Sequence, residues 1–284
     1  MSKSKRGIKL AMQTSSLPSL SICPLASGSR GNAIYVSGGK SAVLVDAGLS
    51  GVEIERRMAL RGISPQSIDA VVVSHEHTDH VKGAGIFSRR YKIPLYINEK
   101  TFNTASPRLG SVNFLNYFKC GRPFNIGELT INPFSISHDA ADPSGFTFER
   151  LKAKLSITTD LGIVTNLVKS HLKGSSLVYL EANHDPEMLQ YGPYPWHLKQ
   201  RIKSRRGHLS NQEAGELLCE IQEGVVNGDK CLSHVILAHL SEENNTPEKA
   251  LETVNRFLGA SHKMPPVKVD VAMPDTPGEM VHLN

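Results

Sequence analysis

Ser74-His75-Glu76-His77-Thr78-Asp79-His80 places three histidines and an aspartate within six positions. Imidazole and carboxylate are the side chains that hold borderline divalent metals at neutral pH. His75 and His77 stand two apart, so in an extended segment they point the same way. Asp79 and His80 follow a turn and are placed to face a second ion. The pattern H-x-H-x-D-H therefore reads as one loop serving two adjacent metal sites. Donors of nitrogen and oxygen suit zinc, manganese or iron without choosing among them. Two such ions roughly 3.5–4 Å apart activate a water and hold the attacked oxygen, so the expected chemistry is hydrolysis.

A second stretch bears on which bond is attacked. Gly207-His208-Leu209-Ser210-Asn211 precedes an expected helix, Gln212–Ile221, with Ser210 and Glu213 spaced as a capping box. Free N–H groups at a helix start favour an anion, and a phosphate there would meet His208 and Ser210 together. Glu181, at another strand end, is placed to orient His208 and keep it protonated. The plainer alternative is a surface histidine and a capping serine. Lys199, Arg201, Lys203, Arg205 and Arg206 lie just before His208. They read either as a phosphate track, with Lys203, Arg205 and Arg206 as phosphate contacts, or as a solvated helix face.

The elements that must position these residues follow from the apolar pattern. Ala70–Val73 reads as a buried strand feeding the histidine loop. Ser41–Val45 is a strand ending at Asp46, where an acid suits either a hydrogen bond to the histidine loop or a plain turn. Further strands are expected at Leu20–Leu25, with Pro24 favouring a sheet edge, and at Ala33–Val36, Pro94–Ile97 and Leu129–Ser137. Phe146–Phe148 and Leu155–Thr159 look like a hairpin, and Ser176–Leu180, His234–Ala238 and Pro266–Met273 complete the set. Helices are expected from the Ser50–Glu53 capping box to Gly62, near Gly83–Arg90, and from Thr246 to Leu258. The remainder of 81–120 reads as loops.

The bulk numbers set limits. The 284 residues are enough for one large α/β domain, taken here as 19–284 after a disordered lead-in at 1–18. A net charge of +5 permits an anionic substrate. The four cysteines show no C-x-x-C spacing and read as reduced, semi-buried thiols of a cytoplasmic protein. No apolar run has the length of a membrane span, and no signal-peptide pattern stands at the start. No membrane partner is expected. The oligomeric state stays open.

The histidine loop resembles that of the metallo-β-lactamase-fold hydrolases, and the resemblance runs over 20–260. It implies a four-layer αββα sandwich with the metals at one edge of two sheets, and it asks for three further ligands at strand ends. His138, Asp160 and His239 stand at such positions. The implied assignment puts His75, His77 and His138 on one ion and Asp79, His80 and His239 on the other, with Asp160 bridging. Asp79 is also the candidate acceptor of the water's proton. Within the superfamily, Ala26–Asn32, His138–Ala141, Thr159–Gly162, Leu180–Asp185 and Leu237–Ser241 look like the YycJ/WalJ group, understood as 5′-to-3′ DNA exonucleases. Glu181 and Gly207–Ser210 are similar in order to a phosphate-facing Glu and Gly-His-Ser-Thr turn of the related tRNA-processing enzyme, although Leu209 departs from that pattern. DNA is thus the expected substrate ahead of RNA. The alternatives are a thioester hydrolase of the glyoxalase II type, a lactam hydrolase, and a non-catalytic nucleic-acid-binding protein on the same fold.

Overall fold

Apolar residues fill successive positions along the central strands, which requires a sheet buried on both faces. The computed structural model meets that requirement twice over. It describes residues 18–223, 231–259 and 266–284, so the expected lead-in lies outside the described residues except for Pro18.

The first seven-stranded sheet has the order β14-β1-β2-β3-β4-β5-β6. Its strands are β1 (Leu20–Ala26), β2 (Ala33–Gly38), β3 (Ser41–Val45), β4 (Ala70–Val72), β5 (Leu95–Asn98), β6 (Leu115–Phe118) and, from the far end of the chain, β14 (Val281–Leu283). The second sheet runs β13-β12-β11-β10-β9-β8-β7. It holds β7 (Phe124–Ile126), β8 (Leu129–Ser135), β9 (Ser144–Arg150), β10 (Ala153–Thr158), β11 (Leu177–Glu181), β12 (His234–Ala238) and β13 (Lys268–Val271).

Alternation along the strands sorts the side chains into three apolar layers. Val43 and Val45 of β3 meet Leu177 and Tyr179 of β11 in the core between the sheets. Ala42 and Leu44 point the other way. They pack under the helices α1 (Gly51–Leu60), α3 (Ala84–Tyr91) and α4 (Glu99–Leu109), with the short α2 (Thr78–Val81) between α1 and α3. Val178 and Leu180 face α5 (Asn166–Leu172), α8 (Asn211–Glu223) and α9 (Pro247–Gly259). The architecture is the four-layer αββα sandwich. Each fully buried Leu, Ile or Val contributes about 1.5–3 kcal/mol, so strand register and strand ends are firmly held. Two short helices, α6 (Pro186–Tyr191) and α7 (Trp196–Ile202), sit in the connection from β11 to α8. No helix among the described residues is long and apolar enough to cross a membrane.

Several expectations need correction. Strand β1 is not an edge. Strand β14 pairs with Leu20–Ile22 only, so Pro24 lies past its end and its missing N–H breaks no bond to that neighbour. The stretch 81–120 is not mostly loop, since it contains α4, capped by the Asn98 side chain, and β6. Ser50 caps α1 through its hydroxyl, but Glu53 turns to Arg56 and Arg57 instead of closing a capping box. All four cysteines are free thiols, and Cys231 is exposed where the sequence suggests a semi-buried one.

Candidate metal centre

Strands β3 to β6 run parallel to one another, as do β10 to β13, so their C-terminal ends collect at common edges. The main chain turns sharply there. Asp46, Asp160 and His239 follow β3, β10 and β12, and all three adopt positive φ, between 55° and 57°. Such a backbone is costly for most L-residues and least so for Asp, Asn and His. Each turn drops a functional side chain into the gap between the sheets. Gly48 makes the approach of the metal loop possible, because a Cβ there would lie 1.6 Å from the Asp79 carbonyl. A Ser144 N–H to Ser74 carbonyl bond, 3.1 Å, ties the two sheets together beside the loop.

All seven sequence-predicted ligands converge. His75, His77 and His138 form one set of donor atoms, and Asp79, His80 and His239 form another. His75 Nε2 lies 3.1 Å from His77 Nδ1, and His138 Nε2 lies 3.3 Å from the same atom. On the other side, His80 Nε2 is 3.5 Å and His239 Nε2 is 3.8 Å from Asp79 Oδ2. Asp160 sits between the sets. Its Oδ1 is 3.6 Å from both His138 Nε2 and His239 Nε2, and its Oδ2 is 3.3 Å from His80 Nε2. Ligands about 2.0–2.1 Å from one zinc-sized ion are separated by roughly 3.3 Å in a tetrahedron, so the residues fit such ions. His239 Nε2 and Asp160 Oδ2 are buried without a hydrogen-bond partner, as donors aimed at a cation are.

A ring of outer hydrogen bonds fixes the tautomers. Asp46 accepts from the Ser74 N–H, the Ser74 hydroxyl and His80 Nδ1 at 2.8, 2.7 and 2.7 Å. The Ser74 hydroxyl in turn receives His75 Nδ1 at 3.0 Å. His138 Nδ1 donates to the Gly207 carbonyl at 3.2 Å, and His239 Nδ1 to Glu181 at 2.8 Å. These four rings thereby present Nε2 inward, whereas His77 presents Nδ1. Asn32 is a site residue the sequence reading misses. Its amide nitrogen lies 3.0 Å from His80 Nε2 and 3.3 Å from Asp79 Oδ2, and its oxygen is held by the Gly28 N–H. The Gly/Ser turn before it is the one sequence signal that points there.

Charge divides the imidazoles into two kinds. Burial pushes His138 down and, reinforced by His80, pushes His75 well below the usual histidine range. Burial acts the same way on His80, but Asp46 and Asp160 more than reverse it. Burial also works to lower His239, and Asp160 and Asp79 raise it well above the ordinary value. Burial would raise the Asp160 carboxyl, yet His239 and His80 hold it well below the usual carboxylate range.

Glu181 is fully buried and serves four donors. One oxygen accepts from His208 Nδ1 and His239 Nδ1, both at 2.8 Å. The other accepts the N–H groups of Leu161 and Leu209, at 2.8 and 2.9 Å. Burial opposes ionisation, but His208 and His239 hold the carboxyl at about 2. His208, lowered by burial and raised more by Glu181, ends above the usual histidine range. Its ring lines a cavity of about 180 Å³ with Asn183, Tyr194, Leu198, Arg201, Ile202 and Ser241 among the walls.

The remaining expectations divide. Ser210 is buried and closes a reciprocal capping box with Glu213, to which its hydroxyl and N–H both donate. That hydroxyl is engaged within the helix cap and is not offered to a phosphate. Arg206 Nε donates to the His138 carbonyl, and Lys199 Nζ to the carbonyls of Gln190 and Gly192. Arg201 pairs with Asp139, whose other oxygen lies 3.2 Å from His138 Nε2. Lys203 and Arg205 are exposed.

The chain matches known proteins over most of its length. Residues 41–235 match the family model described as a beta-lactamase superfamily domain. The chain is 38% identical over 238 residues to exodeoxyribonuclease YycJ of Bacillus anthracis, covering 82% of this chain and 87% of that one. It is 37% identical over 263 residues to exodeoxyribonuclease WalJ of Streptococcus pneumoniae serotype 2 strain D39, covering 89% and 96%. The metallo-beta-lactamase fold protein YhfI of Bacillus subtilis superposes with a TM-score of 0.70 at 14% identity, over 92% of this chain and 98% of that one, a likeness of fold. Over most of its length, then, and with His and Asp clusters able to hold metal gathered from both sheets, the chain belongs to the beta-lactamase superfamily as a metallo-hydrolase similar to the YycJ and WalJ proteins.

Proposed function

We propose that the protein is a dinuclear metal-dependent phosphodiesterase that removes nucleotides from DNA, with 5′-to-3′ polarity carried over from the group it resembles. The observation that carries this reading is the placement of His208. Its ring stands beside both donor sets, 5.1 Å from that of His138 and 5.2 Å from that of His239. It ligates neither ion in the assignment above, and it lines the adjoining cavity. A thioester or lactam is neutral when it binds and offers such a cation an oxyanion only once its tetrahedral intermediate forms. A phosphodiester carries an anionic oxygen from the start and develops further negative charge as it reacts. The DNA preference is supported by the names of the YycJ and WalJ relatives, both exodeoxyribonucleases.

Two divalent ions, zinc, manganese or iron by the chemistry of the donors, would be held by His75, His77, His138, Asp79, His80, His239 and the bridging Asp160, and would supply an activated water and an electrophilic clamp on the phosphate. The protein's own groups do the rest. Asp79 lies on the edge of the second donor set. Burial works against its ionisation, but His239 and His80 keep it a carboxylate, and it accepts the attacking water's proton. His208 gives its Nδ1–H to Glu181 and so turns Nε2 toward the cavity, where it donates to a phosphate oxygen. Glu181 fixes that ring's angle and charge, and its bond to His239 Nδ1 leaves that ring's Nε2 facing the donor set. Cytoplasmic action belongs to the same proposal and is supported by four thiols without a disulfide.

The test is a time course on 5′- and 3′-labelled DNA and RNA, single- and double-stranded, with manganese and zinc supplied separately. Mononucleotide release from DNA, starting at the 5′ end, is expected. Hydrolysis of a thioester with no activity on bis(p-nitrophenyl) phosphate would move the protein to the glyoxalase II type. DNA binding without turnover on any ester would leave a non-catalytic binding protein.

A further inference from the structure

The connection from β11 to α8 carries the two most exposed aromatic rings among the described residues: Tyr191 is 81% and Trp196 is 74% exposed. They lie five residues apart, at the end of α6 and the start of α7. Pro193 and Pro195 stand between them and lock two of the intervening φ angles, so the pair is presented on a stiff support. From Met188 to Gln212 the chain has no acidic residue, while Lys199, Arg201, Lys203, Arg205 and Arg206 supply five cations. The side chains of Lys203 and Arg205 enter no salt bridge or hydrogen bond among the described residues. On α7, Leu198, Arg201 and Ile202 line the cavity that holds His208. Trp196 and Lys203 lie seven apart, two turns along one face, and both are exposed.

Rings left in water beside unneutralised cations fit one kind of partner better than an apolar protein face. Bases of a single strand offer π-faces to stack, and its phosphates offer the charge. A duplex hides those faces. We propose that Tyr191 and Trp196 form a stacking platform for single-stranded nucleic acid, from which Lys203 and Arg205 conduct the backbone along α7 toward His208. This rests on the nuclease reading and adds to it a strand preference and a binding surface outside the metal centre.

Trp196 is the only tryptophan of the chain, so its fluorescence reports on the platform without any substitution. The probe is an oligothymidylate of about 12 nucleotides with phosphorothioate linkages to slow cleavage, titrated into the full-length protein with its metals. Saturable quenching is expected, with the midpoint given by the anisotropy of labelled oligonucleotide. Inorganic polyphosphate should compete for the cations without quenching. A duplex of the same length should quench less. Trp196→Ala should weaken the single strand about 5- to 100-fold, and Trp196→Phe should keep most of the affinity. Oligonucleotide that binds and is cleaved while the emission stays constant would overturn the platform and leave the nuclease reading intact. Emission that changes with protein concentration and ignores DNA would make Trp196 part of a contact between copies, again overturning it. An oligonucleotide neither bound nor cleaved would take both readings down together.

Discussion

Glu181 is the residue whose role the structure changes most. Its order in the sequence suggests a partner for His208 alone. The buried carboxylate instead orients His208 and the proposed metal ligand His239 through a single oxygen. Glutamine cannot reproduce this, because its amide would face either two imidazole N–H groups or two backbone N–H groups. Glu181→Gln is therefore expected to lower the metal content from two ions toward one and to cut turnover by about 10²-fold or more. His208→Ala should keep both ions and lower kcat about 10²–10³-fold, with a smaller change in KM. Elemental analysis alongside steady-state kinetics separates the two variants, and full metal in Glu181→Gln would return Glu181 to the single role. His184 follows three residues later in the same loop, and burial holds its imidazole down at about 4. An unfolded histidine titrates near 6.5, so between roughly pH 6.5 and 4 the unfolded chain binds a proton that the folded one refuses. The stabilisation from this group is complete above about pH 6.5 and is lost as pH falls toward 4, amounting to about 3 kcal/mol in all. His184→Leu should flatten the fall in urea midpoint between about pH 7 and 5. An unchanged pH slope would show that His184 takes up its proton without unfolding.

At the scale of elements, strand ends do the positioning, and most of them are legible in the sequence. The runs Ser41–Val45, Ala70–Val73 and His234–Ala238 are apolar on both faces because helices cover both sheets, and such runs stop abruptly at the polar residues that matter. The turns themselves are not legible. Nothing in Asp46, Asp160 or His239 announces a positive φ, which is imposed by the packing of loops drawn from distant parts of the chain. Helix α4 is hidden by Pro107, which reads as a breaker although it falls in the last turn, and by a polar composition. Ser210 shows the opposite failure. Its spacing to Glu213 announces the capping box correctly, and that box leaves the hydroxyl no freedom for a phosphate. The close packing of the metal loop gives an element-scale prediction. Gly48→Ala would drive a Cβ into the Asp79 carbonyl and to 2.7 Å from the Asn32 nitrogen, two backbone groups that are hydrogen-bonded to each other. A loss of about 1–3 kcal/mol or more is expected, together with weaker binding of the ion held by Asp79 and His80. Calorimetry with metal analysis checks both parts. A variant with normal stability and two ions would mean that the loop has slack the packing does not suggest.

Across the whole molecule, the proposed metal centre adds links between two sheets that also meet through apolar contact and through hydrogen bonds such as that from the Ser144 N–H to the Ser74 carbonyl. His75 and His77 come from the loop after β4 in the first sheet and Asp79 and His80 from α2 just beyond it, whereas His138, Asp160 and His239 follow β8, β10 and β12 in the second. Each proposed ion takes donors from both sides, so each closes a link between the layers. Without ions, the carboxylates of Asp160 and Glu181 are balanced by raised imidazoles at His80 and His239, and a metal must displace those protons. A ligand that binds only the folded state at 100 times its Kd stabilises by about 2.7 kcal/mol, which for a chain of this size shifts Tm by roughly 4–5 °C. Chelation is therefore expected to lower Tm by about that amount, and restoring manganese or zinc should reverse the change. The geometry makes a sharper claim about variants. His77→Ala in the first sheet and His138→Ala in the second remove donors to the same ion, so the double variant should be little less stable than either single one. Combining His77→Ala with His239→Ala, which strikes both ions, should come closer to the sum. Additive losses in the first pair would mean that these histidines act separately and share no ion, and the dinuclear assignment would fall with them.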